Sequence, residues 1–304
     1  MISLTPPPPP PPFLSHRTMA ITMSNNQQSS SSNYWTSLNQ EIDAHLKQAI
    51  PLRPPLSVYE PMHHLTFSAP RTPAPALCIA ACELVGGHRD QALPAASALR
   101  LMHAAAFTHE QLPALKDRPR PGRPPNYTHK FEPNIELLTG DGLVPFGMEL
   151  LASSDDPAQE MLDRILRVIV EITRAMGSQG FVEGQYKESQ YGGIDGEEAV
   201  QVAWIGEVCK KKEGELHACA GACGAILGGG SDEEVEKLRR YGLYVGTIRG
   251  IDIISGGVES KDEKLLLLEE VNKLRNLAVE ELRGFDQGKV EKISSIIDNE
   301  CCNV

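Results

Sequence analysis

His217-Ala-Cys-Ala-Gly-Ala-Cys-Gly-Ala-Ile-Leu-Gly-Gly-Gly230 is the stretch whose reading decides the rest of the chain. Cys219 and Cys223 stand four apart, so on a helix both thiols leave the same face. Around them are only Ala and Gly, small enough to let another helix come close. The same Cys-x-x-x-Cys spacing recurs at Cys78 and Cys82. β-Carbons four apart on a helix lie about 5–6 Å from one another, wider than the roughly 3.5–4.5 Å of a disulfide. Each pair is therefore expected to stay reduced, or to bond to something other than its own partner.

The 304 residues carry 29 Lys and Arg against 40 Asp and Glu, a net charge of −11. Such a chain is poorly suited to nucleic acid or an anionic membrane by general electrostatics. A phosphorylated ligand would need a local basic pocket or metal ions. No apolar run approaches the ~18 residues that span a bilayer. Seven cysteines, with Cys209, Cys301 and Cys302 completing the set, do not have the look of a secreted disulfide framework.

Residues 1–33 contain the proline run Pro6–Pro12, the serine run Ser29–Ser32 and no acidic residue, the first being Glu41. An organelle transit peptide fits this composition better than a plain disordered extension, although Arg17 is its only Lys or Arg. Folded sequence is expected from Tyr34–Trp35, with Leu38, Ile42, Leu46 and Ile50 at helical spacing before Pro51. Pro51–Pro61 reads as a loop and Met62–Phe67 as a short segment. A helix through Leu77, Cys78, Ala81, Cys82 and Val85 ends at Gly86–Gly87. Further helices fit Ala95–Glu110, Asn134–Ala152 with a weak point at Gly140-Asp-Gly142, and Met161–Met176, whose expected apolar face is Leu162, Ile165, Leu166, Ile169 and Ile172. Gly177–Gly196 reads as loop; helices resume at Glu197–Lys212, Glu215–Leu227, Asp232–Ile254 and Asp262–Leu282. No stretch alternates as a strand for long. The expectation is one all-α domain over 34–304, a large helical bundle.

Three segments carry a family likeness: Pro75-Ala-Leu-Cys-Ile-Ala-Ala-Cys-Glu-Leu-Val-Gly-Gly87, Leu138-Thr-Gly-Asp-Gly142 and Gly224-Ala-Ile-Leu-Gly-Gly229. They resemble, in order over about residues 34–285, plant trans-prenyl diphosphate synthases. That resemblance implies an isoprenoid synthase fold with a central cavity and a helical dimer interface. Its chemistry rests on magnesium ions held by two aspartate-rich motifs, which neutralise the departing diphosphate. This chain departs from both. The first motif reads His109-Glu-Gln-Leu-Pro-Ala-Leu-Lys116, where only Glu110 keeps a carboxylate and Lys116 stands at the place of the last aspartate. The second reads Arg249-Gly-Ile-Asp-Ile-Ile254, with Ile253 and Ile254 at the paired positions and Asp252 one out of register. No magnesium cluster and no catalytic residue is therefore expected in this chain.

Of the family's diphosphate ligands, Arg71, His103 and Lys212 keep their places, with Glu213 where a threonine belongs. They read either as a weak phosphate grip or, preferably, as relics in solvated positions. Loss of both aspartate motifs beside two Cys-x-x-x-Cys pairs resembles the small subunits of heteromeric plant geranyl diphosphate synthases. Pro61-Met-His-His-Leu-Thr-Phe67 and Lys210-Lys-Lys212 point the same way. The resemblance implies a chain inactive alone. It would bind a geranylgeranyl diphosphate synthase-like large subunit in plastids, as heterodimer or heterotetramer, and turn the product toward geranyl diphosphate for monoterpenes, the magnesium being the partner's. It also implicates Cys78, Cys82, Cys219 and Cys223 in association with that partner. On residue type alone these cysteines are equally small buried hydrophobes, and a zinc site from both pairs lacks the usual tight spacing. The competing functions are a weakly active short-chain prenyltransferase using Glu110 and Asp252, a subunit that raises geranylgeranyl diphosphate output, and an inert helical scaffold.

Overall fold

The computed structural model describes residues 16–112, 128–154, 161–190 and 198–297. The proline run Pro6–Pro12, the proline- and arginine-rich stretch 113–125 with Lys116, Cys301 and Cys302 lie outside these residues. Every regular element among the described residues is helical. The helices are α1 (His16–Ala49), α2 (Leu56–Ser68), α3 (Ala74–Leu84), α4 (Arg89–Gln111), α5 (Pro133–Ala152), α6 (Leu162–Met176), α7 (Phe181–Ser189), α8 (Glu198–Cys209), α9 (Glu215–Gly228), α10 (Asp232–Ser255), α11 (Lys261–Glu281) and α12 (Gln287–Ser294). A π-helical turn, Lys210–Gly214, joins α8 to α9 without a break.

Helix α9 is the axle. Every residue from Leu216 to Leu227 is buried, the mark of a helix apolar all round and surrounded by others. It packs against α3, α4, α6 and α10. Absence of side chains sets how closely two of these neighbours come. A β-carbon on Gly224 would overlap the carbonyl oxygen of Cys78 in α3, and one on Gly242 of α10 would overlap that of His217 in α9. These are backbone-to-backbone contacts that no rotamer change can relieve.

That seam places the two cysteine pairs. Cys78, Cys82 and Cys223 are completely buried and Cys219 nearly so, all within the core formed by α3, α4 and α9. Cys219 Sγ lies 3.6 Å from Cys223 Sγ, and the Cys82 thiol donates to the His88 carbonyl at 3.3 Å. Burial pushes the Cys82 pKa up to about 12 and those of Cys78 and Cys223 well above the usual range. These are protonated, inert thiols. The small-residue faces meet each other inside this chain, so these thiols would act on a partner through the helices they space.

Helix α1 begins at His16, ahead of the expected start at Tyr34, and from Trp35 on it behaves as its spacing requires, with Trp35, Leu38, Ile42, Leu46 and Ile50 all buried. Trp35 Nε1 donates to Ser295 Oγ at 2.9 Å and the Tyr34 hydroxyl to Glu83 at 2.6 Å, tying α1 to the region after α12 and to α3. Three expectations fail on proline and glycine. Pro61 and Pro94 lie inside α2 and α4, where a loop and a later helix start were expected, each losing one ladder bond that tertiary packing outweighs. Gly140-Asp-Gly142 does not weaken α5; Gly140 is small because the His109 ring of α4 lies against it. The window read as loop after Gly177 contains α7. In α6 the buried face is Ile165, Val168, Ile172 and Ala175, while the expected Leu162 and Leu166 stand 55% and 53% exposed.

Two glycines separate the seam from the propensity of its helices. Gly224→Val should destabilise by about 3 kcal/mol through overpacking, lowering Tm by about 6–12 °C. Gly142→Ala, which meets nothing within 4 Å, should instead gain about 0.4–1 kcal/mol. Thermal unfolding of the two variants checks both; equal effects would dispose of the close-approach argument.

Candidate functional site

The side chains that chemistry would need converge on one cavity of about 320 Å³. Helix α4 presents His103, Phe107, Glu110 and Gln111, which share a face because they fall three, four and seven apart. The segment between α2 and α3 supplies Pro70 and Arg71, α7 supplies Phe181 and Glu188, and α10 supplies Arg249, Gly250, Ile253 and Ile254. The π turn brings Lys212 and Glu213 to the wall, an extra residue per turn re-aiming side chains as such turns commonly do at sites.

Arg71, His103 and Lys212, picked out by position in the sequence, therefore do line a single space. Their partners are the surprise. Lys212 Nζ is 2.7 Å from Glu110 Oε1 and 3.0 Å from Glu188 Oε2, with the ring of Phe181 at 5.6 Å. Burial works against its charge, but the two carboxylates prevail and hold its pKa above the usual lysine value. Glu110 also accepts from Gln185 Nε2 at 2.5 Å. Arg71 is paired with Asp43 of α1 at 2.6 Å. Lys212, with 15% of its side chain exposed, is not in a solvated position of the kind a relic would occupy, whereas Arg71 keeps 38% of its side chain exposed.

Behind this triad lies a second polar set. His217 Nδ1 is 2.7 Å from the Glu213 carbonyl, Arg249 donates to the Arg71 carbonyl at 2.9 Å, and its Nε stands 3.9 Å from Glu213 Oε2. Burial raises the Glu213 carboxyl, with Arg249 and Lys212 pulling the other way. Burial drives His103 and His217 down to about 3, the neighbouring cations adding to the effect for both. Both imidazoles are neutral at pH 7. His103 Nδ1, Gln111 Oε1, Glu213 Oε2, His217 Nε2 and Arg249 Nε are buried with no hydrogen-bond partner.

The sequence reading missed Glu188, which sat in a window taken for loop, and assigned nothing to Arg249. No spacing in sequence relates residues 110, 188 and 212; a helix beginning after Gly180 was the one signal available. Ile253 and Ile254 do line the cavity where the paired carboxylates were sought, and Asp252 does not. Among the described residues no group of three His, Cys, Asp or Glu side chains is gathered as a metal ion requires.

Comparison with known proteins gives this geometry its context. The sequence model of the family described as polyprenyl synthetase matches residues 56–250. Heterodimeric geranylgeranyl pyrophosphate synthase small subunit 2, chloroplastic, of Cannabis sativa is 54% identical over 267 residues, covering 87% of this chain and 90% of that protein. The crystal structure of geranyl diphosphate synthase small subunit from Antirrhinum majus superposes with a TM-score of 0.79 at 51% identity, covering 88% of this chain and 99% of that one. A chain of the mint heterotetrameric geranyl pyrophosphate synthase gives 0.76 at 47% identity, covering 87% and 99%.

The buried imidazoles set an acid limit on stability. A histidine held near 3 when folded and near 6.5 when unfolded binds its proton in the unfolded state first, so stability falls as pH drops from about 6.5 toward 3. Each should cost about 1–2 kcal/mol between pH 7 and pH 5. Glu213, raised when folded, acts in the opposite sense as pH falls through its folded pKa. Urea unfolding at pH 7 and pH 5 should show the loss, and His103→Gln should remove about half of it; a pH-independent midpoint would count against neutral burial.

Proposed function

The chain belongs to the polyprenyl synthetase family, and we propose that it serves there as the non-catalytic small subunit of a heteromeric prenyl diphosphate synthase. Members of the family use magnesium. The fit of this cavity to magnesium is poor for a specific reason. Glu110, the one carboxylate left at the first motif's place, is engaged by Lys212, and the second motif's place is filled by Ile253 and Ile254. A hard dication demands several oxygen ligands, and here an ammonium already sits among the oxygens. This ion pair is the observation that carries the reading. The catalytic cavity and its magnesium then belong to a geranylgeranyl diphosphate synthase-like large subunit.

The surface suits such a partner. Leu162, Leu166 and Val170 form an exposed stripe along α6, at successive steps of four residues. Leu137, Leu138 and Val144 of α5 and Val182 and Tyr186 of α7 are exposed on the helices to either side of α6 in chain order. Apolar patches of this kind on a protein surface mark interaction sites. Helices α4 and α9 pack against α6 behind the stripe, so the buried cysteine pairs of α3 and α9 contribute by fixing where these helices stand. Control of product length is then a coupling free energy between the interface and the partner's cavity, favouring release of the ten-carbon product. The chloroplastic relatives support a plastid location for the complex, and the acid-free start of the sequence supports residues 1–33 as transit peptide.

A second reading is favoured by one observation. The 54% identical relative is named for a geranylgeranyl, not geranyl, synthase, which fits a subunit that raises the twenty-carbon product instead.

The purified chain with magnesium, isopentenyl and dimethylallyl diphosphate should give no product above background. Adding a large subunit should shift that subunit's output to ten carbons; an increase confined to twenty carbons selects the second reading, and robust turnover by the chain alone would sink both. Leu166→Glu with Val170→Glu should weaken co-purification at least tenfold while leaving the fold intact by circular dichroism.

A further inference from the structure

Inside the helices, two glycines have no neighbour among the described residues that explains them. A β-carbon on Gly142 of α5 or on Gly206 of α8 would meet nothing within 4 Å, whereas one on Gly224, Gly242 or Gly250 would meet another helix at less than 3 Å. Glycine is the poorest helix former after proline, so a glycine facing open space weakens the chain taken by itself. Gly142 lies beside the exposed apolar residues of α5 already given to the large subunit. Gly206 lies on α8, which is not among the helices of that patch.

It opens on a face built by α8, α10 and α11, a groove of about 690 Å³. The floor is Leu243 and Tyr244 of α10, and the walls include Val202 of α8 with Leu266 and Leu274 of α11. Ala203 and Gly206, three apart on α8, share this face and leave room for a helix backbone to approach.

Both walls carry the same pair of charges at the same spacing, Glu207 and Lys210 on α8, Glu270 and Lys273 on α11. Glu207 and Lys210 are 53% and 47% exposed and stand 3.9 Å apart; Glu270 and Lys273 stand 3.3 Å apart. Lys187 of α7 also comes within 3.6 Å of Glu207, and Glu269 adds one further negative charge to the α11 wall. At such exposure these pairs contribute little to the chain by itself. The whole chain carries −11 and repels its copy at long range. A face bearing both signs at a fixed spacing reverses that repulsion locally, since a half-turn sets each Glu-x-x-Lys against an inverted copy of itself. A twofold contact has to be self-complementary in this sense, residue i meeting j while j meets i. Walls of one sign would suit a partner of opposite charge instead.

We infer that the α8–α11 face is the contact for a second copy of this chain, α8 against α8 and α11 against α11, antiparallel about a twofold axis. Glu207 of each copy pairs with Lys210 of the other, and Glu270 with Lys273, while Gly206 lets the two α8 backbones come close. This contact stands on the face alone; that it joins two heteromers, each holding a large subunit through α6, rests on the subunit role.

Sedimentation equilibrium of the full chain tests it, in the Leu166→Glu, Val170→Glu background so that the α6 stripe takes no part. A reversible monomer–dimer equilibrium in the micromolar range is expected. Glu207→Lys sets like charges together and should weaken the dimer about tenfold, as should Lys210→Glu. The two changes combined should restore the affinity to within about threefold, because the pairing is reciprocal. Gly206→Leu should raise the Tm of the monomer through helix propensity and still weaken the dimer about tenfold by closing the approach. A monomer throughout the range overturns the inference, as does a dimer indifferent to Glu207→Lys and Gly206→Leu, or a double variant as weak as the single ones. Weaker large-subunit binding in Glu207→Lys, with no self-association of the parent chain, would give the face to that subunit and equally refute the inference. Failure of the subunit role is read separately, from co-purification of a large subunit with the unmodified chain.

Discussion

Close approach of backbones around α9 is the constraint on which the rest of the structure depends. Gly224 lets the carbonyl of Cys78 reach α9 from one side, and Gly242 lets α10 reach the carbonyl of His217 from another. Helices held this near have few alternative registers, since a shift of one residue would drive an alanine or cysteine side chain into a carbonyl oxygen. Cysteine suits the neighbouring positions because it is barely larger than alanine and fills the gap that glycine leaves. The seam also aligns the segments joined to its helices. α3 continues from the segment that carries Arg71, α9 continues from the π turn that carries Lys212, and α10 itself carries Arg249. One packing arrangement thus fixes three of the cavity's cations.

The Glu110–Lys212–Glu188 triad illustrates how a cavity holds buried charge in balance within one chain. A buried carboxylate deprived of its ion is a liability, and so is a buried lysine deprived of its anion; together each removes the other's cost. Lys212 is 15% exposed in its side chain and Glu188 9%, so neither relies on water. Gln185 adds a hydrogen bond to Glu110, satisfying a further lone pair. The arrangement is self-sufficient, and this distinguishes it from an unfilled metal site, where carboxylates face one another with no cation among them.

Much of the fold was legible in the sequence because helical periodicity reports burial. Leu38, Ile42, Leu46 and Ile50 of α1 were readable from spacing alone and are all buried. The failures share a cause: local signals were overruled by contacts distant in sequence. Pro61 reads as a break, but α2 keeps it within its interior. Gly140 reads as flexibility, but it is a space for His109. Leu162 and Leu166 read as core because apolar residues at helical spacing define a face without saying what covers it. The cysteine pairs pose the converse question. A small-residue stripe announces that some helix will come close, and nothing in its composition says whether that helix belongs to the same chain. Of the cavity, Arg71, His103 and Lys212 were legible by position, whereas Glu188 and the ion pair itself depend on α7 folding back across the π turn, a contact with no signature in spacing.

The seam and the cavity draw on separate residues. Gly224, Gly242 and the four paired cysteines do not line the cavity, and Glu110, Glu188, Lys212, Ile253 and Ile254 do not touch the backbone crossings. Substitutions in the lining therefore change charge, metal affinity and ligand preference without moving the helices. Helix positions in turn determine the outer faces of α5, α6 and α7. A chain built this way can exchange aspartates for isoleucines and a lysine-bound glutamate and still present an unaltered surface to a partner. The separation of packing from lining lets the lining of such a fold change while the helices that carry its outer faces stay in place.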